Sequence, residues 1–204
     1  MSTSQQERAE LAALLKQVGP EADTLCEGWN ARDLATHLYI REHRPDAVPG
    51  MFVSALEGHL DRVTKDVEKM PFDELVDAWA KGAPVWNPMK WADRFVNVTE
   101  NFVHHEDVRR AQAAWEPRQL SPGTQRELWG AINFLGKMLV KNSPVSVVLV
   151  RPDGVATTLV DRSASGAETV TLRGEVGELV LWLYGRTARI EAEGNVDLVE
   201  RTAV

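Results

Sequence analysis

Residues 91–110, WADRFVNVTENFVHHEDVRR, make a helix-length segment that sets Glu100 and His104 four positions apart. In a helix, side chains at i and i+4 lie one above the other with β-carbons about 6 Å apart, a gap that metal bonds of about 2.0–2.2 Å bridge. His105, about 100° further round the helix, points away from His104. Two readings are open at this spacing: a solvated helical pair, or two ligands of one metal ion.

Upstream, a second helix offers another histidine. Asn30 stands at an N-cap position and Asp33, three residues on, supplies the reciprocal half of a capping box, so a helix starts near Ala31. Leu34, His37, Leu38 and Arg41 then share one side, and His37 is turned inward with two leucines. An inward histidine needs a partner: a backbone carbonyl or carboxylate, or a metal. His43 and His59 lie near or among charged residues and are expected to be solvated.

Around these two segments the periodicity predicts further helices. Gln5–Val18 is amphipathic through Leu11, Leu14 and Leu15, and Gly19-Pro20 ends it. Met51–Lys69 carries an apolar stripe of Phe52, Ala55, Leu56, Leu60, Val63 and Val67, and Pro71–Lys81 is a short helix with Asp73 as its expected cap. The loop Gly82–Lys90 brings Trp86 and Met89 just ahead of the Glu100/His104 helix, either to line a pocket or to pack. Thr124–Lys141 is a last long amphipathic helix, which gives a four-helix bundle with one extra short helix.

At Pro144 the pattern changes. Val145–Val150 is a β-branched run of strand length, Pro152-Asp153-Gly154 is turn chemistry, and Ala156–Val160 completes a hairpin. Glu168–Arg173 alternates as a third strand, Glu175–Tyr184 is helical and stops at Gly185, Ala188–Ala192 is a last strand, and Asn195–Arg201 a closing helical turn or two. The fold class is therefore α+β: a helical bundle over residues 1–143 and a small α+β domain over residues 144–204.

Composition narrows the chemistry. With 204 residues, 44% hydrophobic, and a net charge of −7, the chain can bury a sizeable core, and no basic face for phosphate is expected, so nucleic acid is excluded as a general partner. Cys26 stands alone, which rules out an intramolecular disulfide and suits a reducing compartment; a packing role is expected for it ahead of a nucleophilic one. No apolar run approaches the roughly 20 residues that cross a bilayer, and MSTSQQERAE is not signal-like, so a cytoplasmic protein is expected.

His37, Glu100 and His104 together would make a two-nitrogen, one-carboxylate set, and three protein ligands leave a coordination position for water or substrate. Asp107 could orient a ligand and Arg41, one turn from His37, could hold a substrate carboxylate; ordinary ion pairing accounts for either equally well.

GWNARDLATHL, residues 28–38, resembles the tryptophan, arginine-aspartate-leucine and histidine-leucine signature of the mycothiol-dependent maleylpyruvate isomerase family, within the wider DinB/YfiT-like group of metal-binding four-helix bundles. ENFVHHEDVRRA, residues 100–111, resembles the second signature of that family, and GEVGELVLWLYGR, residues 174–186, its smaller domain; the HHEDVRR segment is most similar to an actinobacterial branch. The resemblance implies a DinB-like bundle and a divalent metal, usually zinc, on His37, Glu100 and His104. It also implies thiol chemistry with mycothiol as co-substrate: isomerisation or S-transfer on a small anionic or electrophilic substrate. It makes Arg186 a candidate for the arginine that the small domain contributes to the site. A metal-dependent hydrolase and a non-catalytic metal-binding module are the alternatives. The short connection at 142–144 further predicts that Pro144–Val204 takes part in the substrate pocket, in a monomer or homodimer.

Overall fold

A computed structural model describes residues 2–84, 87 and 94–202, and they divide into two compact units, Met1–Glu116 and Pro117–Val204. The expectations for Trp86 and Met89 in the loop 82–90 lie outside the described residues.

The first unit is helical: α1 (Thr3–Val18), α2 (Ala31–His43), α3 (Glu57–Val67), α4 (Phe72–Ala80) and α5 (Arg94–Ala111). α1 packs against α5, α2 and α4, α2 also against α4, and α3 lies on α2. Its core is Leu11 and Leu15 from α1, Leu34, Leu38 and Ile40 from α2, Leu75, Val76 and Trp79 from α4, with Val63 and Val67 from α3 and Val108 from α5. α1 begins with a capping box of Ser2 and Gln5, two residues ahead of the sequence expectation, and α2 has the anticipated box of Asn30 and Asp33. A buried bidentate pair ties α1 to α2: Arg8 Nη1 and Nη2 donate to Glu42 at 2.8 and 2.6 Å.

Three local expectations are corrected here. Met51–Lys69 is not one helix: 3-10 turns at Val48–Met51 and Ser54–Leu56 precede α3, and Phe52, Ala55 and Leu56 are exposed instead of forming a buried stripe. The reason lies at Gly50, whose added β-carbon would sit 2.7 Å from Leu60 Cβ and 2.8 Å from Leu56 O, so the chain doubles back where an ordinary side chain does not fit. α4 is capped by Pro71 and not by Asp73, which lies within its first turn. Of the two histidines expected to be solvated, His43 is half-buried and stacks on Tyr39 with ring centroids 4.4 Å apart, whereas the His59 side chain is 40% exposed and its Nε2 lies 2.8 Å from the exposed Asp46.

The second unit contains α6 (Pro122–Leu139), α7 (Val176–Leu183) and a sheet of β1 (Ser146–Val150), β2 (Ala156–Val160), β3 (Thr169–Arg173) and β4 (Glu191–Glu193). The sheet order is β2-β1-β3-β4; β1 and β2 form the expected antiparallel hairpin, whereas β3 pairs parallel to β1 and antiparallel to β4. The last strand falls later than Ala188–Ala192, and the C-terminal helical element is a 3-10 turn at Val196–Leu198. Every residue of α7 is buried, as a nearly all-apolar helix must be, and its one charged residue, Glu178, accepts from Arg189 N–H at 2.7 Å. α6 packs on α7 and β2, with Gly136 against Leu159 and Leu183. The change of periodicity at Pro144 thus does not coincide with the division into compact units, because the helix counted as the bundle's last one lies in the second unit.

Candidate metal centre

On α5 a polar stripe recurs at Asn97, Glu100, His104 and Asp107, spaced to share one helical face. The opposite side is spoken for by α1: Asn101 Nδ2 donates to Ser4 O at 3.2 Å, and His105 Nδ1 lies 2.9 Å from a Glu7 carboxylate oxygen in the interior. His105 is therefore a buried structural partner, turned away from His104 as the 100° step requires. Arg109 and Arg110 both bind Glu106, at 2.8 and 2.6 Å, and so form no basic patch of their own.

His37 and Arg41 reach the polar stripe from α2. Glu100 Oε1 lies 3.4 Å from His104 Nε2, 3.8 Å from His37 Nε2 and 3.5 Å from Arg41 Nε. Arg41 also donates through Nη1 to Asn97 Oδ1 at 3.2 Å, so its guanidinium bridges a turn of α5. The imidazoles of His37 and His104 meet edge to face at 5.8 Å, and Trp29 lies 5.1 Å from the His37 ring.

Asp107 fixes the other end of His104. Its fully buried carboxylate is 3.1 Å from Nδ1, so Nδ1 carries a proton and donates, and Nε2 is the nitrogen turned toward Glu100 and His37. The separations from Glu100 to the two Nε2 atoms exceed ordinary N–H···O lengths. An ion with bonds of about 2.0–2.1 Å has tetrahedral edges of about 3.3–3.4 Å, which the His104 separation matches, and the His37 separation spans the same ion at a wider angle. The three donor atoms lie within 4.8 Å of one another, and their nitrogen and oxygen chemistry fits a divalent ion of the zinc type.

Burial works against ionisation of Glu100, but His104, His37 and the Arg41 charge hold its carboxyl well below the usual range. Burial likewise opposes protonation of His104, and Asp107, Cys26 and Glu100 outweigh it, raising this imidazole well above its ordinary value. Without an ion, Glu100 is thus held ionised and His104 held protonated, so a cation at Nε2 takes the place of the His104 proton.

Sequence reading missed the position of Cys26. Its thiol donates to Asp107 Oδ2 at 3.2 Å and lies 3.8 Å from His104 Nδ1. A loop residue some eighty positions away carries no periodic signal, so nothing in the sequence could have announced the contact. Arg186 belongs to the second unit, where its Nη1 donates to Tyr184 O at 2.7 Å.

No family model matches the sequence, and no curated protein matches it. Two solved structures are similar to this chain. One is the mycothiol-dependent maleylpyruvate isomerase, with a TM-score of 0.63, and the other is a histidine-to-alanine mutant of that enzyme, with a TM-score of 0.64. Each is 14% identical and matches over 98% of this chain and 94% of its own length. The likeness is one of fold. It covers both compact units and agrees with the mixed α+β architecture.

Proposed function

We propose that this chain is a divalent-metal-dependent thiol enzyme, an isomerase or S-transferase with a DinB-like first unit, in which His37, Glu100 and His104 hold one ion of the zinc type. The observation that carries this reading is the convergence of three donor atoms within 4.8 Å, one of them oriented from behind by a buried carboxylate. The fold likeness to a mycothiol-dependent isomerase supports the thiol part of the reading and suggests mycothiol, or a thiol like it, as co-substrate.

When bound, the ion supplies a Lewis acid and a site at which a thiol is held as thiolate near neutral pH. The chain's own groups do the rest. His37 and His104 would each offer Nε2 to the ion, His104 after releasing the proton there, Glu100 would bring one negative charge, and Asp107 keeps the other His104 proton on the far nitrogen. Arg41, next to Glu100, adds positive charge at the edge of the cluster, which favours an anionic substrate group such as a carboxylate. The His37 side chain keeps 22% of its surface exposed, so ligands can approach from that side. Electrophilic double bonds or alkyl carbons activated by a carboxylate or carbonyl are the substrate class that fits a thiolate nucleophile beside a cation.

Cobalt substitution tests the reading. Adding mycothiol or a simple thiol to the cobalt protein should change its visible spectrum and bring in a sulfur-to-cobalt charge-transfer band, also in Cys26→Ser. A spectrum indifferent to thiol would leave a metal-binding module without thiol chemistry.

A further inference from the structure

Cys26 is the one cysteine of the sequence, and the loop that carries it is tied to α5 at Asp107. Leu25 N–H donates to Asp107 O at 3.0 Å, so the thiol beside it is set down on the Asp107 side chain. Sγ is 3.2 Å from Asp107 Oδ2 and 3.8 Å from His104 Nδ1, and the latter two atoms are 3.1 Å apart. Sulfur, nitrogen and oxygen donors thus lie within 4.8 Å of one another, on the opposite nitrogen of the same imidazole that faces Glu100. Bonds of zinc length, about 2.3 Å to sulfur and about 2.0–2.2 Å to nitrogen and oxygen, give edges of about 3.3–3.6 Å, close to the spacings found, and a larger thiophilic ion is admitted when the three donors open by a few tenths of an ångström.

We propose that Cys26, His104 and Asp107 form a second, sulfur-containing site for a thiophilic divalent cation of the cadmium type, and that filling it disables the His37/Glu100/His104 centre. The existence of the site stands on its own geometry; the disabling rests on the proposed function. A thiolate selects soft cations over the nitrogen and oxygen set. A neutral imidazole has one lone pair. With Asp107 accepting the Nδ1 proton, that pair is on Nε2 and serves the outer centre. A cation on Nδ1 needs the pair there, so the imidazole proton moves through solvent to Nε2 and points at the place the outer ion would take. The thiol proton leaves to solvent, Asp107 exchanges its hydrogen bonds for a metal bond, and no electrons change hands. His37 and Glu100 alone then make a poor site.

The experiment uses the untagged full-length protein and cadmium as the probe. Cadmium should give an ultraviolet thiolate charge-transfer band, on the short-wavelength side of the aromatic absorption, that saturates at one ion per chain. Cys26→Ser should abolish the band, His104→Ala and Asp107→Asn should weaken cadmium binding at least about 10-fold, and His37→Ala should leave it unchanged. In cobalt-loaded wild type the thiolate band should grow in step with loss of the visible cobalt spectrum. No band in wild type, an undiminished affinity in both His104→Ala and Asp107→Asn, or saturation at one ion per two chains would overturn the site. A band that appears while the cobalt spectrum persists would overturn the exclusion. A protein that takes no cobalt yet shows the cadmium band with this variant pattern would uphold the sulfur site and refute the outer centre instead.

Discussion

At the scale of single residues, the candidate centre depends on which nitrogen of His104 carries a proton. Asp107, fully buried and 3.1 Å from Nδ1, decides that. Asp107→Asn keeps size and shape but can turn an N–H toward Nδ1, which moves the imidazole proton to Nε2, where the metal lone pair is needed. The variant should lose about 10–100-fold in zinc affinity while its thermal stability in chelator changes little by comparison. Competition with a chromophoric chelator measures the first and a melting curve the second. Unchanged affinity would mean that Asp107 does not orient the histidine.

At the scale of elements, α1 and α2 are joined by the Arg8–Glu42 pair, whose side chains are 11% and 3% exposed. Arg8 also donates to Trp79 O at 2.9 Å and lies over the Trp79 ring, so one side chain gathers three helices. Arg8→Met keeps the aliphatic stem but strands a buried carboxylate, and should cost about 3–5 kcal/mol in denaturant unfolding. A loss under about 1 kcal/mol would show that Glu42 is relieved by other partners. α6 depends on closeness instead of charge: a β-carbon at Gly136 would stand 3.0 Å from Leu159 Cδ1 and 3.3 Å from Leu183 Cδ1. Gly136→Val should therefore destabilise by about 1–3 kcal/mol through overpacking, read as a lowered melting temperature, and an unaltered one would show that the two leucines yield freely.

The same elements show what a sequence can and cannot disclose. His37, Glu100 and His104 stand out because helical periodicity fixes their faces, and the Asn30/Asp33 box because capping is local chemistry. Phe52 and Leu56 mislead because an apolar period does not register the turn forced at Gly50. The hairpin β1–β2 follows from its turn, but the parallel pairing of β1 with β3 depends on tertiary packing. α6 displays a buried face without saying which neighbour buries it, so its membership of the second unit is invisible before the fold is known.

For the whole molecule, an acidic chain of net charge −7 folds into two compact units, and its likeness to the mycothiol-dependent maleylpyruvate isomerase, at 14% identity, is one of fold. Among the described residues no helix is long and apolar enough to cross a membrane. Such distant identity carries a fold and leaves the chemistry to the side chains, so the account turns on whether His37, Glu100 and His104 hold an ion. The direct measurement is elemental analysis with X-ray absorption on untagged protein, comparing wild type with His37→Ala, Glu100→Gln and His104→Ala. Wild type should hold one divalent ion per chain, bound by two imidazoles and oxygen donors, and each variant should lose most of that metal. Equal metal content in all four proteins, or a wild-type first shell without imidazole, would contradict it.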